Sequence, residues 1–399
     1  MSRLEDELRQ RVLSQIDLSQ TIEDEQIKTY VRREIRSLGR NVPIGIEERK
    51  ALERRVFNSL RKLDILQELL ENDDITEIMI NGPKDIFVEE KGQIRKLDKT
   101  FSTGERLHDV IQQIAAQNNE IVNETHPILD TKVDGTRVCI VMNPVSLEHP
   151  IVSIRKFPKE PITIEKLISY GSISPEIAEF LKKAVVSRYN IFISGGTSSG
   201  KTTFLNALTE YVPADQRVIT IEDSAELQIM GIPNLVRLES RNATLEGKLE
   251  VTIRDLVKTS LRLRPDRIIV GECRGGEALE MLQAMGTGHP GSISTGHANS
   301  AKDMVSRLET MVLMAGGVEL PLDAIRKQIS SGIDLIIQLA RLKDRSRRLL
   351  EICEVVGMED GEVKLNSLYR LDQENGMIWK KTGQLIHTEK MDIQGFSDY

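Results

Sequence analysis

Eight consecutive residues, Gly195-Gly196-Thr197-Ser198-Ser199-Gly200-Lys201-Thr202, have the types and spacing of a loop that holds phosphate. Glycines at its two ends let the backbone curl until its N–H groups converge on phosphate oxygens. A helix that follows adds the positive end of its dipole. In such a loop Lys201 reaches the β- and γ-phosphates of a nucleoside triphosphate, and the Thr202 hydroxyl sits on Mg²⁺. Gly195 through Thr202, together with Thr203, are therefore the candidate nucleotide-binding residues.

Hydrolysis needs more than a cradle. It needs a carboxylate to orient water, ligands for the metal, and positive groups near the terminal phosphate. Arg267-Ile268-Ile269-Val270-Gly271-Glu272 reads as a buried strand ending in an acid, and Glu272 is the candidate water-activating residue. The generic motif places an Asp before this acid; here Gly271 stands in that position. Val218-Ile219-Thr220-Ile221 runs into a second acidic pair, Glu222-Asp223, which would hold Mg²⁺ and supply the missing carboxylate. The plainer alternatives are a surface Glu at 272 and an N-cap Asp at 223. Thr202, Glu222, Asp223 and Glu272 form the candidate metal set. Two of the chain's six histidines, His289 and His297, lie eight residues apart across an expected strand at 291–295. That spacing does not resemble a zinc pair, and it makes one of them a candidate sensor of the γ-phosphate.

These residues need a scaffold. Asn190–Ser194 reads as the strand entering the loop, and 201–211 as the helix leaving it, with Phe204, Leu205 and Leu208 on one face. Further strands are expected at 217–222, 267–271, 291–295 and 333–339, with helical runs between several of them. That pattern is a parallel-sheet α/β domain. Antiparallel strands at 349–356 and 363–368 are expected to follow. Before this domain, strands at 75–80, 86–88, 138–142 and 151–154 and a helix over 107–121 describe an α+β domain. Residues 1–70 read as charged helices: Leu4, Leu8, Val12, Ile16; then Ile27, Val31, Ile35, Leu38; then Leu52, Val56, Leu60, Leu63, Leu66. Gly39 and Pro43–Gly45 separate the second from the third. The expected organisation is a helical region at 1–70, an α+β domain at 71–157, a linker at 158–165 around Pro158 and Pro161, and an ATPase domain with a C-terminal extension at 166–399.

The 399 residues suffice for two or three domains, and the 39% hydrophobic content is that of a soluble protein. A net charge of −7 and only 4% aromatics argue against a nucleic-acid surface. Cys139, Cys273 and Cys353 are widely spaced, which fits a reducing compartment and no disulfide framework. The charged start excludes a signal peptide, and no apolar run has the length of a membrane span.

The loop, Thr220-Ile221-Glu222-Asp223, Val270-Gly271-Glu272-Cys273-Arg274-Gly275 and the His-flanked strand together resemble the secretion and type IV pilus ATPase superfamily. Leu261–Arg267, Gly288-His289-Pro290-Gly291 and His297-Ala298-Asn299-Ser300 are most similar to its tight-adherence (Tad/Flp) pilus branch. So are Ile75–Pro83 and Ile329–Leu339 followed by Arg341 and Arg347. The resemblance covers roughly residues 70 to 370. It implies a homo-hexameric ring of RecA-like domains, each preceded by a smaller domain, with ATP and Mg²⁺ bound between the two. It places Glu222 and Asp223 on the acidic box, Glu272 on the catalytic acid and His289 and His297 on the histidine box. Gly271 is normal for this family. Gly296 departs from a bulkier apolar residue, which predicts a looser backbone beside His297. Arg137 and Arg155 match arginines of the smaller domain that face nucleotide phosphates; the plainer reading of each is a surface salt bridge. The implied function is a cytoplasmic motor at the inner face of the inner membrane, pushing on an integral-membrane platform to assemble pili or secrete protein. Its rivals are an ATPase of a type IV secretion or conjugation system, a nucleic-acid translocase and a slow nucleotide switch.

Overall fold

Charged helices with apolar residues at every third or fourth position open the chain: α1 (Arg3–Leu13), α2 (Asp24–Leu38) and α3 (Ile46–Arg61). Their apolar stripes bury Leu8, Val12, Ile27, Val31, Ile35, Leu52 and Val56 against one another. The run from Leu52 to Leu66 predicts one helix, but the chain breaks and restarts as α4 (Ile65–Glu71). Asp64 adopts a positive φ of 56° at the break. Its carboxylate lies 2.6 Å from the buried guanidinium of Arg106. A paired buried charge thus overrides local helix propensity.

Strands β1 (Ile75–Ile80), β2 (Ile86–Glu90) and β3 (Gln93–Lys96), helix α5 (Gly104–Gln117), and strands β4 (Ile128–Val133), β5 (Thr136–Val141) and β6 (Ile151–Arg155) follow. The six strands form an antiparallel sheet in the order β3-β2-β1-β6-β5-β4. Alternation sends Val138, Ile140, Val152 and Ile154 into a core with Leu107, Val110, Ile111 and Ile114 of α5. Arg137 and Arg155 are direct register partners on the other face.

In this computed structural model residues 3–16, 22–38, 45–157, 160–241, 250–316, 320–374 and 376–397 are described. Gly39, Pro43, Ile44, Pro158 and Lys159, which the sequence marks as separators, lie outside them. The chain divides into two compact units, Met1–Lys159 and Glu160–Tyr399.

The second unit runs α6 (Ile164–Ser169), α7 (Pro175–Val186), β7 (Ile191–Gly195), α8 (Lys201–Thr209), β8 (Val218–Glu222), β9 (Leu235–Glu239), α9 (Ile253–Ser260), β10 (Arg267–Val270), α10 (Glu277–Gly286), β11 (Ile293–Gly296), α11 (Ala301–Leu313), α12 (Leu322–Gly332), β12 (Leu335–Arg341), β13 (Arg347–Glu359), β14 (Glu362–Asp372), β15 (Ile378–Lys381) and α13 (Glu389–Ile393). Its sheet has the order β15-β14-β13-β12-β7-β11-β10-β8-β9. The six strands from β12 to β9 in that order are parallel, and β13 to β15 continue it antiparallel. Every residue of β7 is buried. Ile191 and Ile193 pack with Ile177, Leu181, Phe204 and Leu205 on one face. Phe192 packs with Met281, Met304, Leu308 and Ile329 on the other. Helices on both faces explain why the parallel strands read as unbroken apolar runs. The fold is a RecA-like α/β domain preceded by an α+β domain and an N-terminal helical region.

The amino ends of these strands, called here the lower end, are stapled by two buried polar side chains. Asn190 donates to the carbonyls of Met285 (3.1 Å) and Gly332 (2.7 Å) and accepts from the N–H groups of Gly291 (2.8 Å) and Ser292 (3.2 Å). Arg267 donates to Gln216 Oε1 (2.5 Å) and to the carbonyls of Gly291 (3.2 Å) and Val185 (2.6 Å). Burial lowers the Arg267 guanidinium to about 10, so it is charged at neutral pH. No helix among the described residues is long and apolar enough to cross a membrane.

Candidate nucleotide site

The phosphate loop leaves the carboxyl end of β7, the upper end of the sheet. A Cβ on Gly195 would stand 2.5 Å from Ser199 Oγ and 2.7 Å from the Leu339 carbonyl, so only glycine fits. Ser198 and Gly200 take positive φ values of 59° and 92°, which curl the loop inward. Gly200 caps α8 without a side-chain bond. The first helix-type bond runs from the Phe204 N–H to the Gly200 carbonyl at 2.8 Å. The N–H groups of the first turn are thus left for an anion. Thr197 and Ser198 are exposed, Gly196, Thr202 and Thr203 half-buried, and Ser199 buried. Ser199 Oγ has no hydrogen-bond partner among the described residues.

Lys201 is buried and folds back over the loop, donating from Nζ to the carbonyls of Gly195 (3.1 Å) and Gly196 (3.0 Å). Burial lowers its pKa, and the nearby Glu272 carboxylate works against that shift. Its Nζ also stands 3.3 Å from Nδ1 of His297.

Three strand ends deliver the acids and one histidine. Glu272 follows β10, and its Oε1 lies 2.7 Å from His297 Nε2 at the end of β11. Its Oε2 accepts from Arg274 Nε at 2.8 Å and faces Arg274 Nη2 at 2.6 Å. Burial, and then the Lys201 charge, lower the pKa of His297, while Glu272 pulls it up. The imidazole is therefore neutral at pH 7. Gly296 beside it is fully buried, and a Cβ there would meet Phe192 at 2.9 Å and Met304 at 3.0 Å. Those two side chains occupy the space that a bulkier residue would fill.

Glu222 ends β8 with its side chain buried. Its Oε1 accepts from the N–H groups of Glu226 and Leu227, both at 2.8 Å. Its Oε2 has no partner among the described residues. Burial raises its pKa, and the two backbone bonds oppose the rise. A Cβ at Gly271 would lie 3.1 Å from Glu222 Cγ. The missing Asp side chain before Glu272 is thus replaced in space by Glu222. Asp223 is half-exposed; its Oδ1 accepts from Ser240 Oγ at 2.8 Å, and its Oδ2 lies 3.7 Å from Arg274 Nη1. Among the described residues no group of three or more His, Cys, Asp or Glu is arranged to hold a metal by protein ligands alone.

The structure brings Lys201, Glu272 and His297 together, with Asp223 joined to them through Arg274. It does not bring in His289. That residue precedes β11 at the lower end, where its carbonyl accepts from Ser292 Oγ at 2.8 Å. Arg137 and Arg155 lie in the first unit, within ion-pair distance of Asp130 (3.4 Å) and Glu77 (2.9 Å). Two further arginines belong to the site. Arg274 is one. Arg347 is the other: it donates from Nε to the Ser198 carbonyl at 3.0 Å. Beside the loop, a cavity of about 250 Å³ is walled by Ile162, Leu167, Tyr170, Phe204, Leu349 and Arg347. Apolar walls with a cationic edge suit a flat heterocycle and its ribose.

Residues 59–389 match the family described as Type II/IV secretion system protein. A putative conjugal transfer protein of Mycobacterium tuberculosis is 31% identical over 316 residues, covering 77% of this chain and 88% of its own length. The type IV secretion system protein VirB11 of Bartonella henselae is 31% identical over 326 residues, covering 72% of this chain and 90% of its own. In fold the chain is similar to the pilus retraction motor PilT with bound ADP, with a TM-score of 0.53 and 21% identity over 76% of this chain and 82% of that one. It is also similar to the Legionella pneumophila ATPase DotB, with a TM-score of 0.52 and 23% identity over 72% of this chain and 79% of that one. With a match spanning both units, this chain belongs to the type II/IV secretion system protein family.

Proposed function

We propose that this protein is an ATP-hydrolysing motor that drives Tad/Flp-type pilus assembly or protein secretion. It works as a ring of six copies at the cytoplasmic face of the inner membrane, against an integral-membrane platform protein, and takes no nucleic acid. The observation that carries the reading is the convergence of Lys201, Glu272 and His297 at the mouth of the phosphate loop.

Each group has a physical task. Lys201 exchanges the Gly195 and Gly196 carbonyls for anionic phosphate oxygens, a stronger partner for an ammonium. Glu272 orients the attacking water and accepts its proton. A neutral His297 has one N–H, which faces Glu272 here; trading that partner for the terminal phosphate would release Glu272 and so report the phosphate's presence. Mg²⁺, where bound, neutralises phosphate charge, and Thr202, Asp223, Glu222 and Glu272 are the residues that would hold it beside the phosphates. Their half-buried hydroxyl, half-exposed carboxylate and unpartnered Glu222 Oε2 suit an ion that keeps water and phosphate in its shell. The family resemblance also assigns Arg137, Arg155 and His289 to nucleotide chemistry. Their alanine variants test that assignment.

A second reading, an ATPase of a conjugation or type IV secretion system, rests on the names of the relatives at 31% identity. Steady-state ATP hydrolysis beside analytical ultracentrifugation tests the shared part. Wild type is expected to turn over ATP and form hexamers with nucleotide. Glu272→Gln is expected to bind ATP without turnover. Normal hydrolysis by that variant would remove Glu272 from its role and turn attention to Glu222 and Asp223. Dependence of pilus assembly on the gene separates the two systems.

A further inference from the structure

We propose that Arg274 is the positioning residue of the catalytic carboxylate, selecting which oxygen of Glu272 faces the phosphate loop. The proposal rests on the reading that Glu272 activates water. Two nitrogens of one guanidinium, Nε and Nη2, engage the same oxygen, Oε2, at 2.8 and 2.6 Å. Oε1 is thereby turned toward His297, 2.7 Å away, and the loop. A glutamate has three rotatable side-chain bonds, so an untethered carboxylate would spread over many orientations; a planar fork removes that freedom.

The fork itself is built on a fixed backbone. Glu277 Oε1 accepts the N–H groups of Arg274 (2.6 Å) and Gly275 (2.9 Å). Cys273, between the two charged residues, is fully buried; its N–H bonds to the Thr295 carbonyl at 2.8 Å, and its thiol lies 3.2 Å from Ser294 Oγ. The same guanidinium places Nη1 3.7 Å from Asp223 Oδ2, so one side chain spans the ends of β10 and β8. The hydrogen bonds and ion pairs of the Arg274 guanidinium go to Glu272 and Asp223 and not to the loop or His297, which its charge reaches only through space, so its grip on the site is through Glu272.

The test compares wild type, Arg274→Ala and Arg274→Lys in steady-state ATP hydrolysis, with ADP affinity by calorimetry and melting temperature measured on the same proteins. Arg274→Ala is expected to lose about 10- to 100-fold in kcat, with KM and ADP affinity changed less than about threefold. Arg274→Lys keeps the charge but not the fork, and is expected to recover only part of the loss. Millimolar guanidinium ion is expected to raise kcat of Arg274→Ala and not of Glu272→Gln. An Arg274→Ala enzyme with unchanged or raised kcat would overturn the proposal. So would a lysine variant equal to wild type, or a loss expressed in KM and ADP affinity instead of kcat. A wild type that binds ADP but never turns over ATP would overturn the ATPase reading itself, a separate outcome.

Discussion

At the lower end of the parallel sheet Asn190 fills all four of its hydrogen-bonding positions, and Arg267 spends its guanidinium on two carbonyls and a glutamine. At the upper end Ser199 Oγ and Glu222 Oε2 are buried without partners among the described residues. There too, Lys201, His297, Glu272 and Arg274 form a chain of contacts, each touching the next. Satisfied buried polar groups specify and stabilise a fold, whereas unsatisfied ones cost stability and persist where a ligand completes them. The same strands thus carry a structural anchor at one end and a reactive surface at the other. His289 Nδ1 and Ser187 Oγ, both buried without a partner among the described residues, are exceptions at the lower end.

That contrast can be broken by substitution. The largest effect is expected at the upper end: Glu272→Gln should lower kcat by about a thousandfold and leave the melting temperature no lower than wild type. A parallel loss of stability would mean the acid is structural. At the lower end Arg267→Met strands the Val185 and Gly291 carbonyls, and about 3 kcal/mol of unfolding free energy is expected to disappear in urea titrations. Turnover per folded molecule should be unchanged. Gly195→Ala, which forces a Cβ against the Leu339 carbonyl, should weaken nucleotide binding about tenfold, or about 1.4 kcal/mol, as read by calorimetry.

Two smaller tests sharpen the picture. Burial raises the Glu222 pKa above its ordinary value. The folded protein therefore holds a proton that the unfolded chain has released, and stability falls as pH climbs from the ordinary carboxylate value through the raised one. Glu222→Gln removes that charge, so its gain in melting temperature over wild type should be smaller at pH 5 than at pH 8. A pH-independent gap would contradict the buried-charge account. Last, burial pushes the Cys273 and Cys353 thiols up to about 12 each, while Cys139 is only half-buried. A thiol reagent should modify Cys139 in the native protein and the other two only after denaturation.

The parallel strands were legible because helices on both faces make them continuously apolar. Short or polar strands were not: β3, Gln93-Ile94-Arg95-Lys96, is exposed at every position. Strands β13 and β14 run to Glu359 and Asp372, past the expected ends at 356 and 368, since their outer residues are charged. Helix α5 ends at Gln117 instead of 121, where the Asn118 side chain caps outward onto the Lys132 carbonyl at 2.7 Å. In the site, the glycines and Lys201 announced themselves through spacing. Gly271 was visible as a departure, but only the packing of Glu222 against it explains why. Arg274 stood inside the quoted stretch Val270–Gly275, but nothing in the spacing assigned it a role: an arginine two residues from a glutamate reads as ordinary surface charge until the strand ends are assembled.

Strand β7 has one further consequence. Its two neighbours, β11 and β12, come from residues 293–296 and 335–341, so the strand that feeds the phosphate loop is flanked only by chain made about a hundred or more residues later. On the ribosome the first unit, whose six strands close among themselves, can fold while the loop is still an unsupported ribbon. The loop acquires its wall at Leu339, paired with Gly195, only when β12 has emerged. Nucleotide binding should therefore be absent from nascent chains until late in synthesis. The slow step of folding should be the insertion of β7 between two distant partners, since contacts of long sequence separation form late.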